Sequence, residues 1–137
     1  MTTRARTKLD FACRLELASD AAYLRGAEVK FGSDDNTCTA AGTGDVLAIG
    51  TLERAVSASG KKVAVILYGH AIVPVKVGTG GATRGVSAIG VADGMTDAAT
   101  NGGGTTSQII KGQFMESGVA GDVVGMLIGV NPRSVKT

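Results

Sequence analysis

Tryptophan is absent from this chain of 137 residues, and aromatics of every kind make up only 4% of it. Two Tyr and three Phe, with no interleaved basic residues, offer little stacking surface to nucleic-acid bases or sugar rings. His70 is the only histidine, so no two-histidine metal site can form within one chain. Cys13 and Cys38 are the only cysteines, and their separation of 25 positions fits no zinc or redox motif. A disulfide between them is chemically open; with no secretory signal in front of them they read as two buried free thiols. No apolar run approaches the ~20 residues that cross a bilayer, and the N-terminal cations have no apolar segment behind them. The expectation is a protein made soluble in a cytoplasm, with no membrane partner. Long glycine-free stretches are missing too. Beyond Gly26 none exceeds nine residues, whereas the mean helix runs to about 11–12 and each interior glycine costs ~1 kcal/mol against alanine. A helical bundle is excluded.

What is present is glycine, 21 residues of it, about twice the usual share of ~7%. Apolar residues make up 44%, enough for a real core in a single domain of this length. The net charge is +2, and its placement says more than its size. Arg4, Arg6 and Lys8 stand in residues 1–8 with no acid, and Arg133 and Lys136 stand in residues 131–137. Across residues 9–130 nine cations meet all twelve acids, a local balance of −3. A mildly acidic body with basic ends is not the clustered basic face of a nucleic-acid-binding domain.

The pattern along the chain is a punctuated β rhythm. Phe11, Cys13, Leu15 and Leu17 alternate with Ala12, Arg14, Glu16 and Ala18, the period of a half-buried strand. Ser19–Gly26 has a candidate N-cap and a terminal glycine, which suggest one short helical turn. Ala27–Phe31 is the next candidate strand, followed by a polar turn over 32–36. Further strands are expected over Asp45–Ile49, Leu52–Val56, Lys62–Tyr68, Ala71–Val77, Val86–Val91, Met95–Ala99, Ser107–Glu116 and Asp122–Val130. Their spacing of about 8–12 residues is that of sandwiches and barrels. Asp93-Gly94 is the clearest hairpin signal. Lys62–Leu67 and Val123–Ile128, apolar on both faces, should lie centrally, and Pro74 should place its strand at an edge or a bulge. A weak echo links Gly44–Gly50 with Gly121–Leu127; in both, glycine and aspartate precede an apolar run. The fold class expected is all-β, a compact small barrel or sandwich-like domain with glycine-rich hairpins. Residues 1–10 are expected to form a flexible N-terminal arm, 11–130 the β-rich domain, and 131–137 a C-terminal tail.

Little in the sequence supports catalysis. No serine sits in the G-x-S-x-G elbow that would expose a nucleophile, and His70, between two strands, reads as a turn or interface histidine. Gly78–Thr83 breaks G-x-G-x-x-G at its last position, and Asn101–Ser107 lacks the lysine of a P-loop, so both read as hairpin loops. Asp34, Asp35 and Asn36 could offer oxygens to calcium, but the rest of a calcium loop is missing and a solvated turn is the better reading. No catalytic residue, cofactor or metal is expected. What remains is interaction. Thr2, Thr3, Arg4, Arg6, Thr7 and Lys8 carry unpaired positive charge beside an acidic body, and the segment reads equally as a docking arm or as a frayed terminus.

One ordered series of segments carries a resemblance. Gly42–Gly50 (GTGDVLAIG) leads into Val56–Lys76 (VSASGKKVAVILYGHAIVPVK), then Ala82–Thr100 (ATRGVSAIGVADGMTDAAT) and Gln108–Gly129 (QIIKGQFMESGVAGDVVGMLIG). In order and spacing these resemble the small decoration, or cement, proteins of tailed-bacteriophage capsids, over roughly two-thirds of the chain. The resemblance implies a β-rich homotrimer on the outer surface of an expanded head, bridging major capsid protein subunits, with terminal arms making capsid contacts and no active site. The Asn101–Ser107 insertion and residues 1–41 depart from the pattern. The alternative reading is a host-binding or head-fibre module displayed on the virion, with Gly78–Gly85 and Asn101–Ser107 as its loops.

Overall fold

A computed structural model describes residues 14–68, 72–99, 107–128 and 134–136. Among them eleven strands follow in chain order: β1 (Arg14–Ser19), β2 (Glu28–Phe31), β3 (Thr37–Ala40), β4 (Ala48–Leu52), β5 (Lys62–Leu67), β6 (Ile72–Lys76), β7 (Ser87–Gly90), β8 (Thr96–Ala98), β9 (Ser107–Phe114), β10 (Val123–Leu127) and β11 (Ser134–Lys136). The one helical element described is a 3-10 turn at Ala92–Gly94. The all-β expectation holds.

The strands divide by position in the chain. β1, β3, β2, β4 and β5 pair in that order, and β5 returns to β1, closing a five-stranded barrel. Every pair in it is antiparallel except β1 with β3, where Ala18 faces Thr37 and Ser19 faces Cys38. The second sheet runs β6, β10, β9, β7, β8, with β11 added to the first residues of β9. A parallel bridge between Val77 and Thr96 ties its two ends together. Pro74 lies on β6, whose strand partner among the described residues is β10 alone, so the residue without an N–H does sit on an edge strand.

Each sheet has its own core. Leu17, Val29, Cys38, Leu52, Val63 and Val65 fill the barrel, while Val73, Val75, Ala88, Phe114, Val124 and Met126 fill the second sheet. β5 is the shared wall. Its Val63 and Val65 point into the barrel and its Ile66 packs with the second core, which is why this run is apolar on both faces. β10 has neighbours on both sides but keeps a simple alternation, with Val124 and Met126 buried.

Several sequence expectations need correction. Ser19–Gly26 forms no helical turn; Tyr23 and Val56 exchange backbone hydrogen bonds of 3.0 and 2.9 Å, holding the segment extended. The Ser19 hydroxyl, the supposed cap, donates to the Ala21 carbonyl instead. β4 starts at Ala48, not Asp45, because the Asp45 carboxylate accepts the Leu47 N–H at 2.9 Å and makes a local turn first. The expected strand over Leu52–Val56 reduces to its two ends, Leu52 in β4 and Val56 at the Tyr23 bridge. Gly78–Thr83 is not a hairpin loop, since β6 and β7 are not neighbours, and β8 and β9 are likewise separated by β7. β3 and β11 were not anticipated. The Asp93-Gly94 hairpin is present: φ is +61° and +73°, and β7 and β8 pair with Gly90 opposite Thr96. That is the sign pattern of the hairpin turn whose twist matches its strands.

Candidate interaction surfaces and a buried polar junction

The barrel and the second sheet meet around Glu28. Its side chain is fully buried, and Tyr68 Oη donates to its Oε2. Lys111 Nζ, also buried, stands 3.7 Å from the same oxygen and donates to the Asp45 carbonyl at 2.5 Å. Asp45 in turn pairs with Lys30 at 2.8 Å. Burial pushes the Glu28 carboxyl above its usual 4.5, against the opposing pull of the Tyr68 hydroxyl and the Lys111 charge. Burial, then the neighbouring carboxylate, holds the Tyr68 phenol well above its ordinary value, so the phenol remains the donor. The Lys30 hydrogen bond, then the Leu47 N–H, holds Asp45 below the usual carboxylate range.

Backbone joins the same seam. Gly44 N–H donates to Gly90 at 3.1 Å, Gly94 N–H to Ala41 at 3.0 Å and Lys76 N–H to Gly26 at 3.0 Å. Gly90 is required here for space: a Cβ on it would stand 2.4 Å from Glu28 Oε1. That oxygen has no hydrogen-bond partner among the described residues. Glycine backbone stands against that oxygen, and the cluster links residues of the barrel to β9 of the second sheet, so it is a joint between the two.

The residues singled out in the sequence fall elsewhere. Thr2, Thr3, Arg4, Arg6, Thr7, Lys8, Cys13 and His70 lie outside the described residues. Cys38 is a buried free thiol in the barrel core, pushed up to about 11 by burial and then by the charge of Asp20. Asp34 gives its carbonyl to the Thr37 hydroxyl at 2.6 Å, and Asn36 takes φ of +63°, so this acidic stretch is a backbone turn between β2 and β3. In the Gly78–Thr83 loop the Gly80 N–H donates to Asp97 at 3.1 Å. A Cβ on Gly78 or Gly80 would stand 2.4 or 2.7 Å from an Asp97 oxygen. The loop's close backbone thus cradles an anion of the chain itself. No group of three or more metal-ligating side chains occurs among the described residues.

The surface is more informative. Val46 and Leu47 are about 70% exposed side by side in the β3–β4 loop. Ile72 and Met115 flank Gly125 on the outer face of the second sheet. An open groove of about 530 Å³ lies on the barrel between the Tyr23 segment and the Arg54–Ser57 turn. Leu24, Ala55 and Val56 supply its apolar surface, and Arg54, Lys61 and Lys62 its charge. This cationic groove escaped the sequence reading because its three cations come from a turn and a strand start that look like ordinary solvated positions.

No family model matches the sequence. No curated protein matches it either. Among solved structures, the fold is similar to the crystal structure of the head fiber gp8.5 N base in bacteriophage phi29, with a TM-score of 0.59 and 16% identity. The match covers 85% of this chain and 92% of that one. The barrel and second sheet together are therefore a fold that this head-fibre base shares.

Proposed function

We propose that the chain is a structural protein of a bacteriophage head, seated on the outer surface of the capsid and bridging major capsid protein subunits as a homotrimer. The observation that carries the reading is the fold held in common with a phage head-fibre base over 85% of this chain. The ordered resemblance of residues 42–129 to capsid decoration proteins points the same way from the sequence. The reading assigns the chain no catalysis. Its mechanism is weak contact multiplied by valency: three copies of one modest contact give strong avidity when all engage together. The basic segment Thr2, Thr3, Arg4, Arg6, Thr7 and Lys8 is assigned the capsid contact.

The likeness to a fibre base favours a second reading, in which the domain anchors a fibre on the head and does not cement the shell. Expanded heads lacking the protein separate the two. Under the first reading, added protein binds them and raises their resistance to heat; under the second, it binds without changing that resistance. Deleting residues 1–10 is expected to weaken binding at least tenfold in co-sedimentation while leaving the fold intact. Undiminished binding by the truncated chain would show that the arm is not the contact.

A further inference from the structure

The groove beside the Tyr23–Val56 bridge combines charge with apolar surface. Arg54, Lys61 and Lys62 are exposed and form no ion pair among the described residues. Of the nearby acids, Glu53 pairs with Arg14 at 2.8 Å, Asp20 accepts the Tyr23 hydroxyl at 2.5 Å, and Glu16 lies two pairs along the β1–β5 ladder from Lys62. Leu24, half-exposed, stands with Val56 as the apolar part of the lining. Three cations without an ion-pair partner among the described residues, around an aliphatic surface, define a complement.

We infer that this groove docks an extended acidic segment of a partner polypeptide, with carboxylates on Arg54, Lys61 and Lys62 and an aliphatic side chain against Leu24 and Val56. The chain's own N-terminal segment is a poor occupant, because Arg4, Arg6 and Lys8 repeat the charge of the groove. Nucleic acid is disfavoured by the lining, whose single aromatic, Tyr23, has its hydroxyl engaged by Asp20 and offers no row of rings for bases. The inference does not rest on the virion reading; it stands on the groove alone.

The test uses a fluorescein-labelled peptide of alternating Glu and Leu, its Lys-Leu counterpart, and a single-stranded oligonucleotide of matched charge. Fluorescence anisotropy at low salt is expected to show binding of the Glu-Leu peptide only, weakening as salt rises. The double variant Lys61→Glu/Lys62→Glu, and separately Arg54→Glu, should each weaken it tenfold or more. Both change exposed positions, and circular dichroism checks that each variant is folded. Leu24→Ser should weaken binding without altering the salt dependence. No binding of the acidic peptide, equal binding by the charge-reversed variants, or preference for the oligonucleotide would each overturn the proposal. So would a tenfold gain in peptide affinity on deleting residues 1–10, which would make the chain's own segment the occupant.

Discussion

Glu28 is the residue whose chemistry differs most from what its neighbours suggest. Ala27, Glu28 and Val29 are all buried, so the carboxyl sits inside, with Tyr68 and Lys111 to compensate it among the described residues. Its folded-state value lies above 4.5, so between 4.5 and that raised value the folded chain binds more protons than the unfolded one. Stability contributed by this group is therefore complete below 4.5 and is lost as pH rises through the raised value. Thermal unfolding of the native chain and of Glu28→Gln, followed from pH 4 upward, should show the native protein losing stability relative to the variant. Parallel curves would refute the assignment. Removing the compensating cation is the harsher change. Lys111→Met leaves a buried carboxyl without its cation, and is expected to cost about 3–5 kcal/mol in urea unfolding at neutral pH.

Among the elements, the β7–β8 hairpin shows most directly how local sequence makes structure. Asp93 and Gly94 both lie at positive φ, and a Cβ on Gly94 would also stand 2.8 Å from the Glu28 carbonyl. Gly94→Ala thus combines backbone strain with a clash at the sheet junction and should cost about 1–3 kcal/mol. Asp93→Asn, which keeps a residue tolerant of that conformation, should fall within about 0.5 kcal/mol of native. Equilibrium denaturation of the two variants distinguishes a turn that directs the hairpin from one that follows passively. This turn was legible because two residues carry it. β1, β5 and β10 were legible because apolar side chains recur along them. β3 was not, since Thr37–Ala40 has no bulky apolar residue and its burial comes from the strands on either side. β11 offers only Val135 as an apolar signal. The order of strands was beyond reach for another reason: β6 leads by a crossover to β7, and nothing in a glycine-rich loop says whether the next strand pairs or crosses. Glu28 was hidden by the same logic, because one acid in AEVKF looks like the solvent face of an alternating strand. Gly90, a glycine at the end of a strand and not in its turn, was the available hint of a close approach.

The whole molecule is two small β units sharing one wall, with exposed aliphatic pairs at Val46-Leu47 and Ile72-Met115. Scattered apolar residues are ordinary on a surface, and these two adjacent pairs are the positions at which assembly can be tested. If the homotrimer is correct, sedimentation equilibrium of the purified chain gives three times its 13.7 kDa mass. Val46→Asp/Leu47→Asp or Ile72→Asp/Met115→Asp then lowers that mass, according to which pair is covered. A monomer at micromolar concentration with both pairs intact removes the avidity argument for the isolated protein.

The division of strands along the chain also orders events on the ribosome. Every strand of the barrel lies within residues 14–67, and so is made before any strand of the second sheet. Lys111 emerges more than eighty positions after Glu28. Until then the Glu28 carboxyl has Tyr68 but not Lys111 to meet, and water is the natural partner of its other oxygen. Sealing the seam therefore means stripping that carboxyl of solvent late, when the second sheet docks. The closing of the joint, and not the closing of the barrel, is where this chain's maturation becomes sensitive to acidity.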